Sequence, residues 1–144
     1  MPDSFIDIEV GDAVELEAVP EGSYNVLCRD AEVREGNKGP YILLRLEIPD
    51  EMSSKGITDV MMLPQPSNDP KQQNNRKLRL RKACEAFGVS YEGGFDVQDF
   101  INQEAEAALG IEESEQYGRQ NRVRRYVTGP SSSSSNRSKE LSLG

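Results

Sequence analysis

The sequence predicts a mainly β domain with one principal helix: a small, partly open antiparallel barrel with the helix between its third and fourth strands. Three observations carry this. Apolar residues alternate with polar ones in several short stretches, the period two of half-buried strands. Between residues 70 and 87 the period changes to that of a helix. Turn residues punctuate the stretches closely enough for neighbouring strands to run antiparallel.

Residues 23–34, "SYNVLCRDAEVR", form the first clear strand, launched by "VPEGSY". Tyr24, Val26 and Cys28 share a face, and the phase then slips to Ala31 and Val33. A slip of one residue predicts a β-bulge or a sharp bend. "EGNKGP" at 35–40 reads as a hairpin turn, and "YILLRLEI" at 41–48 as the returning strand. There Ile42, Leu44, Leu46 and Ile48 point to the core, with Tyr41, Leu43, Arg45 and Glu47 outward. "ITDVMMLP" at 57–64 is a third strand, ended by Pro64 and Pro66.

Asp69 suits an N-cap, Pro70 the first helical position and Gln72 the capping-box position. A helix over 70–87 places Leu80, Ala83, Cys84 and Phe87 on one stripe, with Leu78 at its edge and Gly88 as the stop. The Asp96–Asp99 spacing predicts a second, short helix near 97–102. "EAEAALGIEES" at 104–114 and "RQNRVRRYV" at 119–127 read as a closing hairpin, one arm acidic and the other basic. Five short strands with a helix between the third and fourth match a barrel of the oligonucleotide-binding type. A helix on a plain antiparallel sheet is the alternative. The domain is expected at 21–127. Residues 1–20 form an acidic, partly ordered leader, strand-like only at 5–10, and the serine-rich 128–144 a disordered tail.

The chain has no histidine, which removes the common general base and metal ligand. Its two cysteines, Cys28 and Cys84, cannot complete a zinc site and are expected as buried free thiols in a reducing compartment. No cofactor, metal or catalytic residue is expected. No apolar run reaches the length of a membrane span, and the acidic opening fits neither a signal nor a transit peptide.

The net charge is -8, but the charge is segregated. Residues 1–21 hold seven acids and no base; residues 71–82 hold six bases and no acid. Residues 85–115 hold nine acids and no base, and four arginines follow within 119–125. Local fields rather than the total steer partners, so an acidic chain can bind a polyanion on one face.

Three groups of residues are candidates for that face. On the last strand, Arg119, Asn121 and Arg125 share a side with Val123. Arg122, Arg124 and Tyr126 form an outward row, in which arginines hold phosphates and the ring stacks on a base. A cross-strand charge ladder with Glu106, Glu112, Glu113 and Glu115 accounts for the same arginines. Tyr41, Leu43 and Arg45 form a second outward row, with Lys38 in the turn before it. Exposed Leu43 asks for cover, by a helix, a base or a second subunit, and a homodimer is expected. On the helix, Arg76, Lys77, Arg81 and Lys82 point away from the apolar stripe, beside asparagines and glutamines suited to phosphates and bases.

"VPEGSYNVLCRDAEVREGNKGPYILLRLEI", "NNRKLRLRKACEAFGV", "GGFDVQDFINQEAEAALGIEE" and "YGRQNRVRRYV" together resemble a family of bacteriophage single-stranded DNA-binding proteins, over roughly residues 19–127. The resemblance implies an oligonucleotide-binding fold that coats single strands during phage replication or recombination in the cytoplasm of the infected bacterium. It puts weight on Arg119, Asn121, Arg122, Arg125 and Lys38, and names single-stranded DNA and phage replication or recombination proteins as partners. A protein–protein adaptor built on the same β domain is the rival expectation. The acidic recruitment tip common in single-stranded DNA-binding proteins has no counterpart in "SKELSLG".

Overall fold

A computed structural model describes residues 4–128. Five strands form one antiparallel sheet: β1 (Gly22–Gly36), β2 (Gly39–Glu47), β3 (Ile57–Met62), β4 (Glu104–Ser114) and β5 (Gly118–Tyr126). Helix α1 (Pro70–Phe87) lies between β3 and β4 and is followed by a short 3₁₀ turn, Val97–Phe100. The strand order is β3-β2-β1-β4-β5. The expected topology, with its helix between the third and fourth strands, is what the molecule has. The serine-rich tail lies outside the described residues, apart from Thr128. The leader has no strand at 5–10; Gly11 and Asp12 form a turn, and Glu17 makes an isolated parallel bridge to Ser54.

The order of strands becomes a curled sheet through β1. Its first half, Gly22 to Leu27, pairs with β4, and its second half, Leu27 to Gly36, pairs with β2. The two ladders overlap at Leu27. A strand used this way must bend, and the bend is at the phase slip: the register with β2 shifts between Cys28 and Asp30, leaving Arg29 as the extra residue. Cys28 and Ala31 are therefore both inward and buried. The β1–β2 turn is the tight Asn37-Lys38 link, with Gly39 at φ 110.

The sheet remains open: among the described residues no backbone ladder joins β3 to β5. Side chains bridge that gap instead. Tyr126 Oη donates to Asp59 Oδ2 at 2.6 Å, tying one edge strand to the other. Arg79 of α1 meets the second carboxylate oxygen at 2.6 Å. The helix starts as its sequence requires: Asp69 accepts from Gln72 N at 2.7 Å, and Gly88 ends it in the left-handed region at φ 75. Leu80, Ala83, Cys84 and Phe87 form its buried stripe. Phe87 meets Phe100 edge-on at 5.5 Å and Tyr126 at 5.3 Å, so one aromatic cluster joins helix, 3₁₀ turn and last strand.

Candidate nucleic-acid interface

The position of β5 corrects the sequence reading. Its register with β4 shifts between Ala108 and Leu109, and Arg124 is the extra residue. The bulge turns Val123 and Tyr126 both inward and Arg124 and Arg125 both outward. Tyr126 is therefore not the exposed stacking platform expected of it. It is 3 % exposed, and its hydroxyl is committed to Asp59. No base can reach that ring while the domain is folded. Burial raises the Tyr126 phenol well above its ordinary range, and the adjacent Asp59 carboxylate adds to the rise. Burial also raises the Asp59 carboxyl, against the opposing pull of Arg79.

Asn121 is corrected in the same way. It is buried, and its carboxamide imitates a backbone pair. Val19 N donates to Asn121 Oδ1 at 2.8 Å, and Asn121 Nδ2 donates to Val19 O at 2.9 Å and Gly110 O at 3.1 Å. These bonds moor the end of the leader to β5. They leave no group free for a base.

Leu43 is also buried, at 7 % exposure, with Glu32 and Val60 as its cross-strand neighbours. The uncovered leucine on which the dimer expectation rests is not there. Around it the outer face of β1 and β2 is a lattice of opposite charges. Arg29 stands 3.2 Å from Glu47, Arg34 2.9 Å from Glu32, and Arg45 3.8 Å from both Asp30 and Glu32. Tyr41 sits half-buried opposite Arg34. Lys38 stands exposed at the hairpin tip, beyond the end of β1 opposite the segment paired with β4. Arg119 and Arg122 lie 3.8 Å from Glu113 and 3.9 Å from Glu112, the alternative cross-strand ladder for this hairpin. Arg76 points back into the fold: its Nη1 donates to Leu63 O at 3.1 Å and to Asn68 Oδ1 at 3.0 Å. Arg81 reaches Glu85 at 3.9 Å along the helix, and Lys77 is exposed.

What remains is a cleft between α1 and β5. It encloses about 240 Å³ and is lined by Asn75, Leu78, Arg79 and Lys82 from the helix and by Arg124, Arg125 and Tyr126 from the strand. Helical spacing puts Asn75, Leu78, Arg79 and Lys82 on one side of α1. The Asp59–Arg79–Tyr126 network fixes the width, because it binds the helix and both edge strands to one buried carboxylate. Lys82 and Arg125 are exposed, and neither has an ion-pair partner among the described residues. Arg124 is held by Glu21 at 2.5 Å. Two basic stretches, separate in sequence, thus meet across one groove.

Arg79 stands outside the expected candidates, Asn75 enters them only as one of the asparagines beside the helix's bases, and Lys82 is among them. Lys82 and Asn75 carry a signal in their helical spacing. Arg79 carries one in Asp59, an acid on the inward phase of "ITDVMM" that needs a buried partner.

No protein-family model matches the chain, and no curated protein matches it. The architecture is that of a small antiparallel β-sheet domain with one helix, consistent with the layout of the oligonucleotide-binding fold.

Proposed function

We propose that this domain binds single-stranded DNA, without catalysis and with little preference for base sequence, along the cleft between α1 and β5. The supporting observation is the convergence of Lys82, Arg124 and Arg125 on one groove. Asn75 adds neutral donors and half-buried Leu78 an apolar floor. Such a groove holds the phosphate backbone rather than base edges, which is why binding should tolerate sequence. The resemblance to phage single-stranded DNA-binding proteins fits this activity to phage replication or recombination inside the infected bacterium.

A specific observation also favours the adaptor reading. Ile6, Ile8, Val10, Val14 and Leu16 of the leader are each more than half exposed and are interleaved with acids. Exposed apolar side chains gathered in one segment suit docking on another protein.

Titration of fluorescent oligothymidine separates the two readings. Three phosphate contacts set a limit of about −2 on the slope of log affinity against log salt for a single strand, and binding should weaken with salt within that limit. Absence of binding even at low salt rules out the DNA reading and leaves the adaptor.

A further inference from the structure

Arg124 differs from its two cleft partners in being occupied. Its guanidinium lies over Gly110 of β4, where a Cβ would overlap Arg124 Nε. Glu21 takes the same guanidinium, through Arg124 Nη2 and Glu21 Oε2 at 2.5 Å. Glu21 is no part of a loose segment. Two residues before it, Val19 is bonded through both its N–H and its C=O to Asn121, and one residue after it β1 begins. Pro20 O between them accepts from Tyr24 Oη at 2.6 Å. Asn121 in turn donates to Gly110 O, so the mooring of the carboxylate and the seat of the arginine share one point on β4. The fold thus delivers one acid, with its backbone held on both sides, to one arginine of the basic cleft.

We infer that Glu21 is an internal substitute for phosphate at Arg124, displaced when a single strand held in the cleft continues across β5 to the guanidinium over Gly110. This rests on the DNA-binding reading above. The pair is well placed for exchange. Both side chains are about half exposed, at 53% for Arg124 and 55% for Glu21, and exposed ion pairs are weak enough for a competing anion to break. A phosphate offers Arg124 the same forked acceptor geometry that a carboxylate does. Glu21 keeps Arg124 ordered in the empty protein and sets the breaking of one ion pair against each binding event. Lys82 and Arg125 make the first contacts; Arg124 joins after release.

The test is a double-mutant cycle on the full chain with fluorescent oligothymidine. Wild type, Glu21→Gln, Arg124→Gln and the double variant are titrated across a range of salt, with melting curves to confirm folding. Glu21→Gln should bind about two- to fivefold more tightly than wild type. Its salt slope should steepen by up to about one unit, because displaced Glu21 no longer takes up a counterion that offsets the one released from phosphate. In the Arg124→Gln background the same Glu21→Gln change should alter neither affinity nor slope. Equal binding by wild type and Glu21→Gln overturns the inference and leaves the cleft reading standing. So does a Glu21→Gln gain that survives without Arg124, since it then reflects net charge alone. If none of the four proteins binds at low salt, the cleft reading falls and takes the inference with it.

Discussion

On the outer face of β1 and β2, Arg29, Arg34 and Arg45 each stand against a carboxylate of the same face. In the cleft between α1 and β5, Lys82 and Arg125 face no carboxylate, and Arg124 meets a single one. The two surfaces are similarly rich in basic side chains, yet their fields differ. The first is neutral within a Debye length and has little to offer a polyanion. The second presents unneutralised cations beside neutral donors. Charge density along a sequence therefore says little until each base is matched to the acids that the fold sets beside it.

The comparison breaks first at the network that shapes the cleft. Tyr126→Ala should lower stability by about 3–5 kcal/mol, through the cavity it leaves beside Phe87. Tyr126→Phe should lower it by about 1–3 kcal/mol, through the acceptor left unmet on buried Asp59. Urea unfolding measures both. Oligothymidine affinity of the Phe variant, measured well below its melting temperature, should stay near wild type. A large drop there would return Tyr126 to the binding surface.

A smaller effect concerns Asn121. Asn121→Ala strands Val19 N–H and Gly110 C=O and should cost about 1–3 kcal/mol in urea unfolding. Because the leader's end is then unmoored, hydrogen exchange at Val19 should speed up while exchange in α1 does not. Uniform loss of protection would show instead that Asn121 holds the whole sheet.

The smallest effect is a pH dependence at Asp59. Its carboxyl is raised in the folded state from an ordinary value of 3.8. The folded form thus binds the proton more tightly than the unfolded form, and stability depends on pH accordingly. This contribution is fully present below 3.8 and is lost as pH rises through the raised value. Asp59→Asn has no such proton. The stability difference, wild type minus variant, should therefore fall as pH climbs above 3.8 and then level off. A difference that grows over that interval would mean that Arg79 outweighs burial.

Much of this was legible in the chain. The five strands, α1 with its Asp69 and Gly88 ends, and its buried stripe follow from local pattern, because period, caps and turns are properties of neighbouring residues. The bulge in β1 was legible too, since Cys28 and Ala31 can both be inward only if the strand slips. Val123 and Tyr126 have the same spacing of three. Val127 obscured it, because with Val123 it supplied an unslipped apolar phase, and Tyr126 is as credible outside as inside. The site was harder to read. Which arginine meets which acid depends on contacts as distant as Glu21 with Arg124 or Asp59 with Arg79, and no local pattern encodes those.

The central claim is that the cleft, and not the outer face, binds the strand. It is tested most directly by two double variants matched in net charge, Lys82→Gln with Arg125→Gln and Arg34→Gln with Arg45→Gln, each titrated with oligothymidine across a range of salt. The cleft variant should bind more weakly at every salt concentration, with its slope reduced by roughly one unit for each phosphate it no longer holds. The outer-face variant should keep wild-type affinity and slope. Reduced affinity and slope in the outer-face variant, with the cleft variant unchanged, would contradict the account.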